Sequence, residues 1–307
     1  MREFLAEGNN WGTEQNNKFL QNEESLTALI GTKQVVEAIC TYCDEKHNMH
    51  VDLNGLEGII AYDDGAIKAD EGKTKTIALL SRVGKPVSFY VIGKDEVNGK
   101  VVFKLSRRAV QEDCFENYIK NLEKGRVIDA KVTHLANFGA FVDVGVGIAS
   151  LIPIDRLSVS RISSPSDRFV VGQDVKAVVL GFEDGKLLLS HKELLGTWQE
   201  NADMFEAGST VVGIARSIES YGIFVELAPN LAGLAEVKEG IKKGQAVSVC
   251  IKSIIPEKCK VKLIVVDTVE KPEKTDMKYF ITEGILKEWS YTPENSPKKI
   301  KTVFQDV

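Results

Sequence analysis

Residues 124–145, KGRVIDAKVTHLANFGAFVDVG, contain two strands and the turn between them. In the first, Ile128, Ala130 and Val132 alternate with Asp129, Lys131 and Thr133, the period-two pattern of a half-buried strand. His134 has core parity but stands where that strand runs out. In the second, Ala140, Val142 and Val144 point one way, and Phe141 and Asp143 the other. A lone carboxylate is costly to bury, so the Asp143 side is predicted to be wet. Phe141 is then an aromatic ring on a solvent face. A surface Phe under a loop is the plain reading. The functional one is a surface on which a nucleic-acid base stacks, worth about 1–3 kcal/mol per base.

Working outward, Ser150 to Ile154 reads as a short third strand, with Pro153 stopping it. Arg156 to Asp167 is polar and Ser-rich, suited to a loop or helical turn. Gly172-Gln173-Asp174-Val175 opens a fourth strand running to Phe182. Glu183-Asp184-Gly185-Lys186 places an Asp-Gly pair between apolar runs, a hairpin signal. Leu187 to Ser190 is the fifth strand. Five short antiparallel strands with an insert after the third describe an OB-type barrel.

Gly125-x-Val127, Phe138-Gly139-Ala140-Phe141-Val142-Asp143, Val171-Gly172-Gln173-Asp174-Val175 and Leu189-Ser190-His191-Lys192 stand in this order over about seventy residues. The set resembles the RNA-binding domain of the ribosomal protein S-one family. That resemblance implies a five-stranded barrel holding single-stranded RNA on one face, without catalytic activity of its own. It implies RNA contacts at Phe138, Phe141, Lys131, His134 and Lys186.

The pattern recurs twice. Gly208 to Gly222 spans 14 residues, as Gly125 to Gly139 does, and Phe224 to Leu234 spans ten, as Phe141 to Leu151 does. Gly222 to Gly244 is 22 residues against 33 for Gly139 to Gly172, so the third repeat lacks an 11-residue insert. It keeps the aromatic pair, Tyr221 and Phe224, with Glu226 on the outward parity and Lys260 as the basic residue after the last turn. Upstream, His50-Val51-Asp52-Leu53 stands where Phe141-Val142-Asp143-Val144 stands in the centre. His47 and His50 replace the two aromatics there, which makes them weaker candidates for RNA contact, because histidine offers a smaller, more polar ring. Protein docking is the alternative for this repeat.

The fold class is therefore mainly β, three tandem five-stranded OB-type (S-one) barrels joined by short helices. Residues 1–25 read as a flexible arm, with Thr13 capping a helix to Ile30. Residues 26–108 form the degenerate first repeat, 109–123 a helical linker, 124–193 the second repeat, 194–204 another linker and 205–268 the shortened third repeat. Residues 269–307 are a C-terminal extension in which Tyr279–Ile281 and Ile300–Phe304 read as short strands.

The net charge of −5 speaks against a generic polyanion binder. Residues 1–123 hold 15 basic and 20 acidic side chains, which accounts for the whole excess and leaves the central and third repeats near neutral. Stacking and local lysines must then carry RNA affinity. Five cysteines do not form a disulfide framework, and no apolar run reaches membrane-spanning length, so a cytoplasmic setting is expected. Cys40, Cys43, His47 and His50 superficially suggest zinc. In an extended strand, however, the two thiols lie roughly 10 Å apart on opposite faces. No phosphate loop, dinucleotide fingerprint or nucleophile–base pairing is present, so neither enzyme activity nor a cofactor is expected. The leading reading is a single-stranded RNA binder that holds mRNA for translation, in contact with the small ribosomal subunit and no membrane. The alternative is a protein-interaction scaffold, or another RNA-metabolism factor, built from degenerate barrels.

Overall fold

The computed structural model describes residues 4–67, 76–183, 185–270 and 277–304. Asp184 of the expected hairpin and residues 271–276 of the extension lie outside them. Among the described residues no helix is long and apolar enough to cross a membrane. Contacts divide the chain into two compact units, residues 1–122 with 143–149, and residues 123–142 with 150–307.

Three closed five-stranded barrels succeed one another along the chain. The first comprises β1 (Val36–Cys43), β2 (Met49–Asp52), β3 (Glu57–Ile60), β4 (Pro86–Val97) and β5 (Lys100–Ser106), closed in the order β1-β2-β3-β5-β4. The second has β6 (Val127–Ala136), β7 (Gly139–Asp143), β8 (Ala149–Pro153), β9 (Asp174–Glu183) and β10 (Lys186–Ser190). The third has β11 (Thr210–Glu219), β12 (Gly222–Ala228), β13 (Leu231–Ala235), β14 (Ala246–Ile255) and β15 (Lys260–Thr268). In each, the third and fifth strands run parallel and close the ring. Closure leaves no open sheet edge, so partners must use a face.

In the first unit the barrel core is Val36, Ala38, Met49, Val51, Phe89 and Phe103. The N-terminal segment is folded onto this barrel rather than loose. Leu20 and Leu26 are buried in the same core. Glu37 accepts the amides of Gly8, Asn10 and Trp11 and the Ser88 hydroxyl. The amide group of Asn16 exchanges two hydrogen bonds with the Glu37 backbone. Thr13 does cap a helix, but it ends at Phe19, and a second one, Glu23–Ala28, is capped by Asn22. After β5 the expected linker helix forms as Arg107–Asn117.

In the second unit, two barrels and the C-terminal segment share one core, including Val127, Val178, Trp198, Val225, Val249 and Tyr291. The Ser-rich insert makes two single-turn 3-10 helices, Ile154–Arg156 and Pro165–Asp167. Between them Ser160 donates its amide to Pro229 O, and Val159 donates to the Asn230 side chain. The insert missing from the third repeat thus docks the second barrel on the third. The C-terminal segment fills the remaining seam. Leu286 N donates to Gly125 O, Trp198 N to Tyr291 O, and the Tyr291 hydroxyl to Asn230 O. Its strand pair is β16 (Glu288–Ser290) with β17 (Lys301–Val303). Tyr279–Ile281, read from sequence as a strand, is irregular because its backbone bonds Leu194 instead.

Candidate nucleic-acid interface

One row of residues crosses the outside of every barrel. In the third barrel Ser217 pairs with Phe224, Phe224 with Leu234, Leu234 with Lys262, and Lys262 with Ser253. The first barrel gives Tyr42, His50, Ile59, Lys104 and Gly93 by the same registers. In the second, Leu151, Leu188 and Gly181 continue the row, and Phe141 begins it beside His134, with ring centroids 6.0 Å apart.

The central repeat presents three rings. Phe138 is 59% exposed and meets half-buried Phe141 edge to face at 5.9 Å, and exposed His134 tilts against Phe141 from the other side. The alternation that gave His134 core parity fails at the strand end, where it is exposed. Gly139 is needed here, since a Cβ would lie 2.5 Å from Ile152 O. Lys131 instead faces the β6–β9 seam, its ammonium 3.6 Å from Asp174. Lys186 stands exposed at the start of β10.

The third barrel repeats the pair, with Tyr221 67% exposed and T-shaped against Phe224 at 6.2 Å. These rings line an open groove together with Leu234, Lys252, Lys260 and Lys262. Lys260 was legible from the repeat spacing, whereas Lys252 and Lys262 were not.

The first barrel differs. His50 stacks on Tyr42 at 4.2 Å with planes 10° apart. Its Nδ1 lies 2.9 Å from Glu57 and its Nε2 3.6 Å from Asp44, so carboxylates flank the ring. His47 tilts on Tyr62 at 6.3 Å. A register shift between Cys40 and Tyr42 turns Tyr42 outward, half exposed, and gives the repeat an aromatic pair that the sequence reading missed. Cys40 shares the core parity of Val36 and Ala38, and the same shift brings Cys43 round to pack against that core instead of lying on the opposite face.

Asp143 and Glu226, expected on the wet face, are both buried. Asp143 accepts the amides of Glu7, Gly145 and Gly147. Burial and neighbouring Glu7 raise its carboxyl well above the usual carboxylate range. Burial opposes ionisation of Glu7 too, but Arg107 outweighs it through bonds of 2.7 and 2.9 Å. Glu226 is held by Arg168 and Arg216. Phe141 and Phe224 still face outward, because the parity argument holds even though each acid finds a buried partner.

His191 of the Leu-Ser-His-Lys motif is fully buried. Its Nδ1 is 2.8 Å from Leu157 O, and only a protonated Nδ1 can donate there. The Tyr279 hydroxyl, 3.1 Å from Nε2, then donates to that nitrogen. Burial lowers the pKa of His191 to about 4. It positions the insert and takes no part in the exposed row.

Residues 121–192 match the family model described as the S1 RNA binding domain. Small ribosomal subunit protein bS1 of Leuconostoc lactis is 30% identical over 243 residues, 74% of this chain and 55% of the relative. The bS1 homolog of Bacillus subtilis is 32% identical over 214 residues, 64% of this chain and 55% of that protein. A crystal structure of a multidomain protein with nucleic acid binding domains from Streptococcus pneumoniae covers 80% of this chain and 75% of its own at 14% identity, with a TM-score of 0.25. Tandem closed five-stranded barrels define the class, a protein of repeated OB-type barrels, and the central one matches an S1 RNA binding domain. The central repeat carries the S1 domain, the chain is similar to the bS1 proteins over most of its length, and it spans about half the length of the curated relatives it matches, 55% in both cases.

Proposed function

We propose that this chain binds single-stranded RNA along the outward rows of its second and third barrels, as an S1-type protein holding mRNA for translation. The observation that carries the reading is the repeated exposed edge-to-face pair, Phe138 with Phe141 and Tyr221 with Phe224. Leaving Phe138 and Tyr221 exposed, and Phe141 and Phe224 half-exposed, at equivalent positions costs solvation, and stacked bases would recover it. The rings need unstacked bases, so duplex RNA should bind poorly. The relatives' name, small ribosomal subunit protein, supports a ribosomal setting. For the first barrel the carboxylates flanking His50 favour protein contact over RNA, because they repel phosphates.

The test is fluorescence anisotropy of the full chain with a single-stranded 12-mer and with its duplex, beside co-sedimentation with small subunits. Binding to the single strand at least tenfold tighter than to the duplex is expected. Equal affinity for both would contradict the reading.

A further inference from the structure

We infer that the two RNA-facing barrels divide the work: the third grips the phosphate backbone through Lys252, Lys260 and Lys262, and the second holds bases by stacking with little charge. The inference rests on the function proposed above and assigns its electrostatic part to one groove.

The registers carry the argument. Ser253 pairs with Lys262, and the shift between Ile251 and Ser253 leaves Lys252 as the bulged residue. Bulges re-aim side chains, and Lys252 is exposed into the groove that Tyr221, Phe224 and Leu234 line. Lys260 shares the outward parity of Lys262 on β15. The second barrel has the same bulge at Leu180, since Gly181 pairs with Leu188 and Val179 with Leu189. Its counterparts of the three lysines are therefore Leu180, Lys186 and Leu188. In the first barrel they are Ile92, Val102 and Lys104. Three cations thus meet one aromatic pair in the third barrel alone.

These lysines are also unspent. Lys104 sits 2.7 Å from Asp95, Lys131 3.6 Å from Asp174 and Lys176 2.6 Å from Asp129. Among the described residues, no carboxylate lies within ion-pair distance of Lys252, Lys260 or Lys262. Among the described residues that line the groove Glu236 is the one acid, so cations outnumber it three to one. An apolar floor with a cationic rim suits a nucleotide, with the base on Tyr221, Phe224 and Leu234 and the backbone on the lysines.

Each neutralised phosphate on a single strand contributes about −0.7 to the slope of log K against log salt. The test is anisotropy of the full chain with a single-stranded oligouridine 12-mer across about 50–200 mM salt. The Lys252→Gln/Lys260→Gln/Lys262→Gln variant is expected to lose about 2 from that slope, while its melting temperature holds. Phe141→Ala is expected to weaken binding at every salt concentration with the slope unchanged. If the triple variant keeps the wild-type slope while Phe141→Ala and Phe224→Ala still weaken binding, the division of labour is wrong and RNA binding itself stands. The assignment also fails if Lys131→Gln/Lys186→Gln lowers the slope as much as the triple variant does. Loss of heparin binding by the triple variant with oligouridine binding intact would overturn it as well, marking a general polyanion site.

Discussion

Arg168 donates two hydrogen bonds to Glu226, at 2.9 and 2.6 Å, from the insert of the second barrel to a strand of the third. Arg216 approaches the same carboxylate from β11 at 2.9 and 3.0 Å and reaches Asp167 at 2.8 Å. Burial lowers the pKa of Arg168, while hydrogen bonding and the charge of Glu226 raise that of Arg216 despite burial. The group therefore tolerates its desolvation only as a complete set. Removing one partner from a buried pair typically costs about 3–5 kcal/mol, because the other charge stays behind. Glu226→Ala is expected to destabilise the second unit by an amount in that range, read by urea unfolding. A loss below about 1 kcal/mol, the value of an exposed pair, would contradict this.

His191 makes the second unit acid-sensitive. Its folded pKa is about 4, below the ordinary 6.5. The neutral ring is favoured in the folded state, so its contribution is complete above pH 6.5 and is lost as pH falls toward 4. That loss is of order 3 kcal/mol by linkage. The stability difference between wild type and His191→Gln should therefore shrink as pH is lowered from 7 to 4.5. A difference independent of pH would show that the ring does not resist protonation.

The first barrel offers a negative prediction. Tyr42 and His50 stack on each other, so neither presents a free pair of faces, and Asp44 and Glu57 flank the imidazole. Tyr42→Ala is expected to change RNA affinity less than twofold. A tenfold loss in anisotropy would bring the first barrel into the RNA path.

Much of this was legible because strands report their faces by alternation, and repeated glycines fix the distance between turns. Val142 and Ala140 point inward and Phe141 outward as their period requires. What failed did so where a distant residue or a bulge intervened. The burial of Asp143 depends on Glu7, 136 residues earlier, and that of Glu226 on Arg168, 58 residues away, separations that periodicity does not reach. Tyr42 and Lys252 escaped because one extra residue in β1 and in β14 shifts the parity on which the argument ran. The N-terminal segment looks like a polar tail by composition, yet its Asn16 is buried on the Glu37 backbone and its Glu7 is buried on the Ser88 amide and the Arg107 guanidinium. Polarity alone does not distinguish buried satisfaction from solvation.

Val142→Ala separates folding from binding. Val142 is fully buried, so truncation leaves a small cavity and is expected to cost about 1 kcal/mol or more. RNA affinity measured on the folded fraction should stay within twofold of wild type. A large affinity loss without loss of stability would place Val142 in the binding surface.

The central claim is that outward aromatics hold RNA, and the dissociation constants of Phe141→Ala and Phe224→Ala for a single-stranded 12-mer test it most directly. Each change should remove a stacking contact worth about 1–3 kcal/mol, a loss of roughly five- to 150-fold. The two losses should multiply in the double variant, because the sites share no partner. Melting temperatures should remain near wild type. If Phe141→Ala instead lowers the melting temperature as far as Val142→Ala does and leaves affinity unchanged, the ring is structural and the account of this face is wrong.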